Sequence, residues 1–236
     1  MTNLEQIERT IAFVKETLQG AEGGHDWFHI QRVFNNALLI AKDEKKVDIQ
    51  VVGLAALLHD IADAKFHDGD ESIGPLLARE FLLSLEADSS VIDHVATIIE
   101  NISFKSGLKS SGKNKAEERF DSLELQVVQD ADRLDAIGAI GIARAFNYGG
   151  FKNRELYNPA IPPNLGMDRE SYKNSKAPTI NHFYEKLLLL KDKMNTATGK
   201  RLAGERHQFM LDYLGQFYKE WNVDQLNYHR LKTDGF

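Results

Sequence analysis

Apolar residues recur along this chain at intervals of three and four, the period of helices that bury one face. Leu4, Ile7, Ile11, Val14 and Leu18 form the first stripe, with Thr2 and Glu5 spaced as a capping box at its start and Gly20 at its end. After the break at 21–24, a second helix is predicted to about residue 43, with Ile30, Val33, Phe34, Ala37, Leu38 and Ala41 inward and His29 on the same stripe. A third opens at Asp48, a suitable N-cap, and is predicted to reach about Asp63. Its run from Val51 to Leu58 has no polar face, the mark of a helix buried all round. The next stripes span about 70–85, with Asp70 as cap, and 90–102, where His94 shares a face with Ile98 and Ile102. A sixth begins near Ser122, carries the carboxylates of Gln129-Asp130-Ala131-Asp132-Arg133-Leu134-Asp135, and is predicted to continue through Phe146.

Residues 148–176 hold Pro159, Pro162 and Pro163 with several Gly and Asn, and read as a long irregular connection. Two amphipathic helices follow over 177–194 and 198–220. There is no internal repeat, low-complexity tract or convincing strand. The expectation is therefore an all-α fold in a single domain, 1–236, with a core to about 146, the loop 148–176 and a C-terminal helical cap over about 177–220 packed on the core.

Composition narrows the function. A length of 236 residues, 42% of them hydrophobic and 27% charged, suits a soluble globular protein with a substantial core. A net charge of −6 argues against a general nucleic-acid-binding surface, so no nucleic-acid polymer is expected as partner. With no cysteine, thiolate ligands, disulfides and a cysteine nucleophile are excluded. No secretory signal and no membrane-length apolar run is present, so the expectation is a cytoplasmic protein with no membrane partner.

The chemistry gathers where polar groups interrupt apolar helices. Leu57-Leu58 runs straight into His59-Asp60-Ile61-Ala62-Asp63. An unpaired charge near a core costs several kcal/mol, which a bound cation relieves by using neutral imidazole and carboxylate as ligands. In helical geometry His59 and Asp63 share a face, with Asp60 one step round. The alternative is a helix end reaching the surface with ordinary polar residues. His29 on its own is equally compatible with a core histidine. The stretch 106–115, polar and lysine-rich, is either a solvated loop or a lid that meets an anionic substrate. Asp130, Asp132 and Asp135 do not form a calcium loop, because its glycine and closing glutamate are missing.

Taken together as His29 … His59-Asp60 … Asp132, these groups resemble the HD-domain metal-dependent phosphohydrolase superfamily. The segments His25-Asp26-Trp27-Phe28-His29-Ile30-Gln31-Arg32-Val33, Leu58 to Lys65 and Val128 to Gly141 are similar to its small bacterial branch, as are His182 to Leu187 and Met194-Asn195-Thr196. The resemblance implies an HD-domain helical bundle with a C-terminal helical extension, and metal ligands at His29, His59, Asp60 and Asp132. In the first segment it favours His29, on the helix, over His25, which is left to support the ligands from behind or to face the substrate phosphate. The implied cofactor is a divalent ion, Mn²⁺ or Mg²⁺, with Co²⁺, Ni²⁺ and Fe²⁺ also suited to two His and two Asp. Asp63 occupies the acidic position that would orient water or take its proton. Lys65 is the other catalytic candidate, and Arg32 and Arg133 join His25 as candidates for phosphate contact. His94 would serve only in a two-metal variant.

Departures from the family's patterns narrow the substrate. Ala62-Asp63 replaces the Glu-Asp pair of the guanosine-tetraphosphate hydrolases, and the Gly-Tyr-Pro segment of the cyclic-di-GMP enzymes is absent. What remains implies a small phosphorylated metabolite, most simply a nucleotide, with cleavage of a nucleoside triphosphate to monophosphate and pyrophosphate as the expected reaction. The substrate is expected to enter between the core and the segments 106–115 and 148–176. Two rivals stay open: a regulatory protein that binds metal and nucleotide without turnover, and a purely structural helical protein. The oligomeric state is also open, a homodimer included.

Overall fold

A computed structural model describes residues 1–20, 26–62, 72–102, 120–167 and 175–221. The described residues form nine α-helices and no strand: α1 Asn3–Thr17, α2 Trp27–Ala41, α3 Ile49–Leu58, α4 Ile73–Ser84, α5 Ser89–Ile102, α6 Leu123–Asp135, α7 Gly138–Phe151, α8 Thr179–Glu185 and α9 Ala197–Trp221. A 3-10 segment, Leu187–Lys193, lies between α8 and α9. None of these helices is long and apolar enough to cross a membrane. The chain divides into two compact units, 1–136 with 192–201, and 137–191 with 202–236.

The first unit is organised round α3. Val51 to Leu58 are all buried, and α3 touches α1, α2, α5 and α6. A helix with no polar face is stable only when neighbours cover every side, and the four helices do so. Both caps expected for this region form. Thr2 Oγ1 accepts from Glu5 N (3.3 Å) while Glu5 Oε2 accepts from Thr2 N (2.7 Å). Asp48 Oδ1 accepts from Gln50 N (2.9 Å) and Val51 N (3.2 Å). α2 packs on both α3 and α6, which brings the first and last polar clusters of the unit to one place.

Three expected helices end earlier than their apolar pattern. α3 stops at Leu58 rather than near Asp63: His59 Nδ1 donates to the carbonyl of Ala56 (2.9 Å), and Ile61 N donates to Leu58 O (3.2 Å) in a tightened turn. The histidine ring thus satisfies one of the last carbonyls that a helix leaves unpaired. α6 does not continue through Phe146. Ile137 is extended and Gly138 has φ +77°, a left-handed conformation that only glycine adopts without cost, so α7 starts afresh. The first unit takes in the chain up to Ala136 and again residues 192–201. The helix expected over 177–194 is α8 followed by the 3-10 segment, with Lys186 (φ −143°) as the interruption. Asp70, expected to cap α4, lies outside the described residues. Ser72 holds the N-cap position there without a capping hydrogen bond from its side chain.

In the second unit, α7 and α8 pack together. Phe146, Phe183 and Tyr213 make its aromatic core, the Phe183 and Tyr213 rings stacked with centroids 6.1 Å apart.

Candidate metal centre

α2, the end of α3 and the last turn of α6 each supply one side chain to a common point. One ligand-capable atom from each of His29, His59 and Asp132 lies within 4.8 Å of the others. His29 Nε2 is 3.7 Å and His59 Nε2 3.9 Å from Asp132 Oδ1, and the two rings meet edge-on with centroids 5.4 Å apart. His29 is set by its helix start: Asp26, the N-cap of α2, accepts from His29 N (2.9 Å) through Oδ1. The histidine side chains are 3% and 5% exposed and that of Asp132 43%, so the cluster has a dry floor and an open carboxylate side.

The ring orientations decide what the cluster can hold. His29 Nδ1 lies 2.8 Å from Asp135 Oδ2, and an ionised carboxylate only accepts, so Nδ1 carries the proton. His59 Nδ1 faces the Ala56 carbonyl, which also only accepts. In both neutral rings the lone pair is therefore on Nε2, turned toward Asp132. Two nitrogen lone pairs and a carboxylate oxygen facing one another at these separations repel unless a cation lies among them. The distances exceed a hydrogen bond yet fall within the span of atoms sharing one ion through bonds of about 2.0–2.2 Å. The donor set fits a divalent metal.

Behind the histidine stands an ion pair. Arg32 Nε and Nη2 donate to Asp135 Oδ1 and Oδ2 (2.6 and 3.0 Å). Asp135, 1% exposed, thereby joins α6 to α2 through two residues one turn apart, His29 and Arg32. The hydrogen bond to Asp135 raises the Arg32 pKa above its ordinary value, against the opposing effect of burial. The sequence reading offered Arg32 to the substrate phosphate; the structure engages it with Asp135, since a buried carboxylate without a cation is costly. Arg133, offered in the same role, donates to the carbonyl of Lys193 (2.7 Å) and to Gln129 Oε1 (3.2 Å), with Asp130 Oδ1 at 3.4 Å.

Asp60 follows His59 in the turn that closes α3 and is half-buried. Its oxygens do not fall within the same mutual 4.8 Å as the other three groups. His25, Asp63, Lys65 and the stretch 106–115 lie outside the described residues. His94 is not in the cluster: its Nε2 is 3.0 Å from Ser122 Oγ and 3.6 Å from Glu124 Oε2.

Two residues that the sequence reading left without a role matter here. Asp135 was given no role beyond a rejected calcium loop; its signal was a carboxylate between apolar Leu134 and Ala136, three residues beyond Asp132. Asp130, fully buried, accepts from Asn195 N, Asn195 Nδ2, Thr196 N and Thr196 Oγ1 at 2.8–3.1 Å. It is an internal anchor, and that separates it from the solvent-facing Asp132. Gly199 is required beside it, because a Cβ there would meet Asp130 Oδ2 at 2.3 Å.

The model of the HD domain family matches residues 27–137, from the start of α2 to just past α6. The Bacillus subtilis protein YpgQ, itself uncharacterized, is 38% identical, the alignment covering 93% of this chain and 96% of that protein. The crystal structure of an HD-superfamily hydrolase from Bacillus thuringiensis is 41% identical with a TM-score of 0.74, covering 94% of this chain and all of that one. The crystal structure of B. subtilis YpgQ in complex with ADP is 37% identical with a TM-score of 0.69, covering 93% of this chain and 97% of that one.

Proposed function

Since this chain belongs to the HD-domain metal-dependent phosphohydrolase superfamily, we propose that it hydrolyses a nucleotide, releasing pyrophosphate from a nucleoside triphosphate. The observation that carries the reading is the convergence of two oriented Nε2 atoms on Asp132, with Asp135 and Ala56 fixing both ring tautomers. The complex of YpgQ with ADP supports a nucleotide as the ligand.

In this reading His29, His59, Asp60 and Asp132 would hold one divalent ion, Mn²⁺ or Mg²⁺. When bound, such an ion neutralises phosphoryl charge and makes water more acidic. Asp63 accepts the proton of the attacking water. The water oxygen joins the α-phosphorus, the bond from that phosphorus to the oxygen bridging the β-phosphate breaks, and pyrophosphate leaves. Lys65 and His25 meet the charge of the phosphate chain. Arg32 acts one step back, holding Asp135 on His29.

A panel of nucleoside mono-, di- and triphosphates and simple phosphate esters, each with Mn²⁺, Mg²⁺ and Co²⁺, tests this when phosphate and pyrophosphate are scored separately. Pyrophosphate from a triphosphate is the expected product. Stoichiometric metal and nucleotide binding with no turnover of any compound would leave a regulatory protein instead.

A further inference from the structure

α4 is apolar nearly all round: Arg79 and Glu80 are the only charged residues between Ile73 and Ser84. Such a helix is stable when neighbours cover every side. Its inner face is covered, with Gly74, Pro75, Ala78 and Leu82 buried and the helix packed on α5. The Phe81 ring stacks on Phe13 of α1, centroids 4.0 Å apart. The opposite face is open to solvent. Leu76 is 56% and Leu83 64% exposed, and Glu80 is exposed between them. Spacings of four and three put these residues on one side of the helix.

The pattern on that side is self-complementary. Leu76 lies three residues before Arg79, and Leu83 three residues after Glu80. When two copies of α4 lie antiparallel about a two-fold axis between Arg79 and Glu80, Leu76 meets Leu83 of the second copy and Arg79 meets its Glu80. Each contact then occurs twice. One placement of the axis therefore satisfies the apolar and the charged positions together. Arg79 is held at this side by α5, its Nη1 donating to Asp93 Oδ1. An arginine has five N–H donors, enough for that carboxylate and a second one.

We propose that the outer face of α4 is the surface on which two copies of this chain pair, antiparallel across a two-fold axis between Arg79 and Glu80. The apolar part is small, two leucines from each copy, so the affinity is micromolar rather than nanomolar. The inference lies wholly within the first unit and does not rest on the hydrolase reading.

Sedimentation equilibrium of the full-length protein across the micromolar range tests this. The expected result is a reversible, concentration-dependent passage from one chain to two. Leu83→Glu, at an exposed position, should weaken the association about tenfold or more while leaving the circular dichroism spectrum unchanged. The charge pair gives the sharper test. Glu80→Lys sets Arg79 against a lysine, and Arg79→Glu sets a glutamate against Glu80, so each variant alone should pair weakly. Mixed in equal amounts the two should form a heterodimer, because opposite charges then meet at both contacts. The proposal is overturned if the protein stays a single chain at high micromolar concentration, which would leave this face to a different protein. It is also overturned if Leu83→Glu pairs as well as the unsubstituted chain, or if mixing the charge variants restores nothing, since the copies would then meet in another register or on another surface.

Discussion

His29 and Asp135 are 106 residues apart in the chain and 2.8 Å apart in the fold, ring nitrogen to carboxylate oxygen. The contact does two things. It turns the Nε2 lone pair of His29 toward Asp132, and it places a negative charge behind the ring, which makes that nitrogen a stronger donor. Arg32 holds the carboxylate in place by its two-pronged contact.

Asp135→Asn tests that arrangement with little change of shape. An amide can offer its NH₂ to His29 and removes the charge that Arg32 grips through two nitrogens. Mn²⁺ affinity, measured by calorimetry, should fall by about 10- to 100-fold, the usual effect of losing a supporting carboxylate behind a metal-bound histidine. Unchanged affinity would mean that the carboxylate only holds the helices together.

Asp60 and Asp63 should separate binding from chemistry. Asp60→Ala is expected to lose metal and turnover together. Asp63→Ala should keep its metal while turnover drops by about 10²- to 10⁴-fold, the range for removing a general base. Metal content by elemental analysis beside a pyrophosphate assay checks both, and a fully active Asp63→Ala would remove that residue from the mechanism.

Asp130→Ala should damage stability more than any substitution at the exposed side of the cluster. It strands the backbone donors of Asn195 and Thr196 in a buried site, at a cost of about 3–5 kcal/mol for breaking a buried charged network from one side. Gly199→Ala should produce a loss in the same direction, since its methyl carbon would meet the carboxylate. Urea unfolding followed by circular dichroism measures both. A midpoint equal to that of the unsubstituted protein in either variant would contradict the assigned anchor.

Acid should unfold the protein partly through His182. Its folded pKa is about 3, whereas an unfolded histidine titrates near 6.5. Between those values the unfolded chain binds a proton that the folded chain refuses. This contribution to stability is complete above about pH 6.5 and declines as the pH falls toward 3, by up to about 1.4 kcal/mol per pH unit. His182→Gln should flatten the dependence of the urea midpoint between pH 7 and 5. Equal slopes in the two proteins would show that His182 does not set it.

The parts legible in the sequence were local. The capping box of Thr2 and Glu5, the Asp48 cap and the buried face of α3 depend on neighbours a few residues away. His29, His59 and Asp132 were joined in the sequence only by the resemblance of their three segments to the HD-domain family. Distances along the chain hid the rest. Nothing near Arg32 announces a partner 103 residues on, and Asp130 looks like Asp132 until one is buried and the other open. The break between α6 and α7 depends on the backbone angle of Gly138, which an apolar pattern running across it does not reveal.

The anchor at Asp130 has a consequence for how the protein is made. Its partners, Asn195 and Thr196, are translated 65 and 66 residues later, beyond the end of the stretch that matches the HD family. A nascent chain that has emerged only as far as Ala136 carries every group of the metal cluster but leaves the Asp130 carboxylate without Asn195 and Thr196. A fragment trimmed to the family match would meet the same gap permanently. Competence to hold the ion should therefore arrive late in synthesis, once residues 192–201 have left the ribosome and closed over that helix.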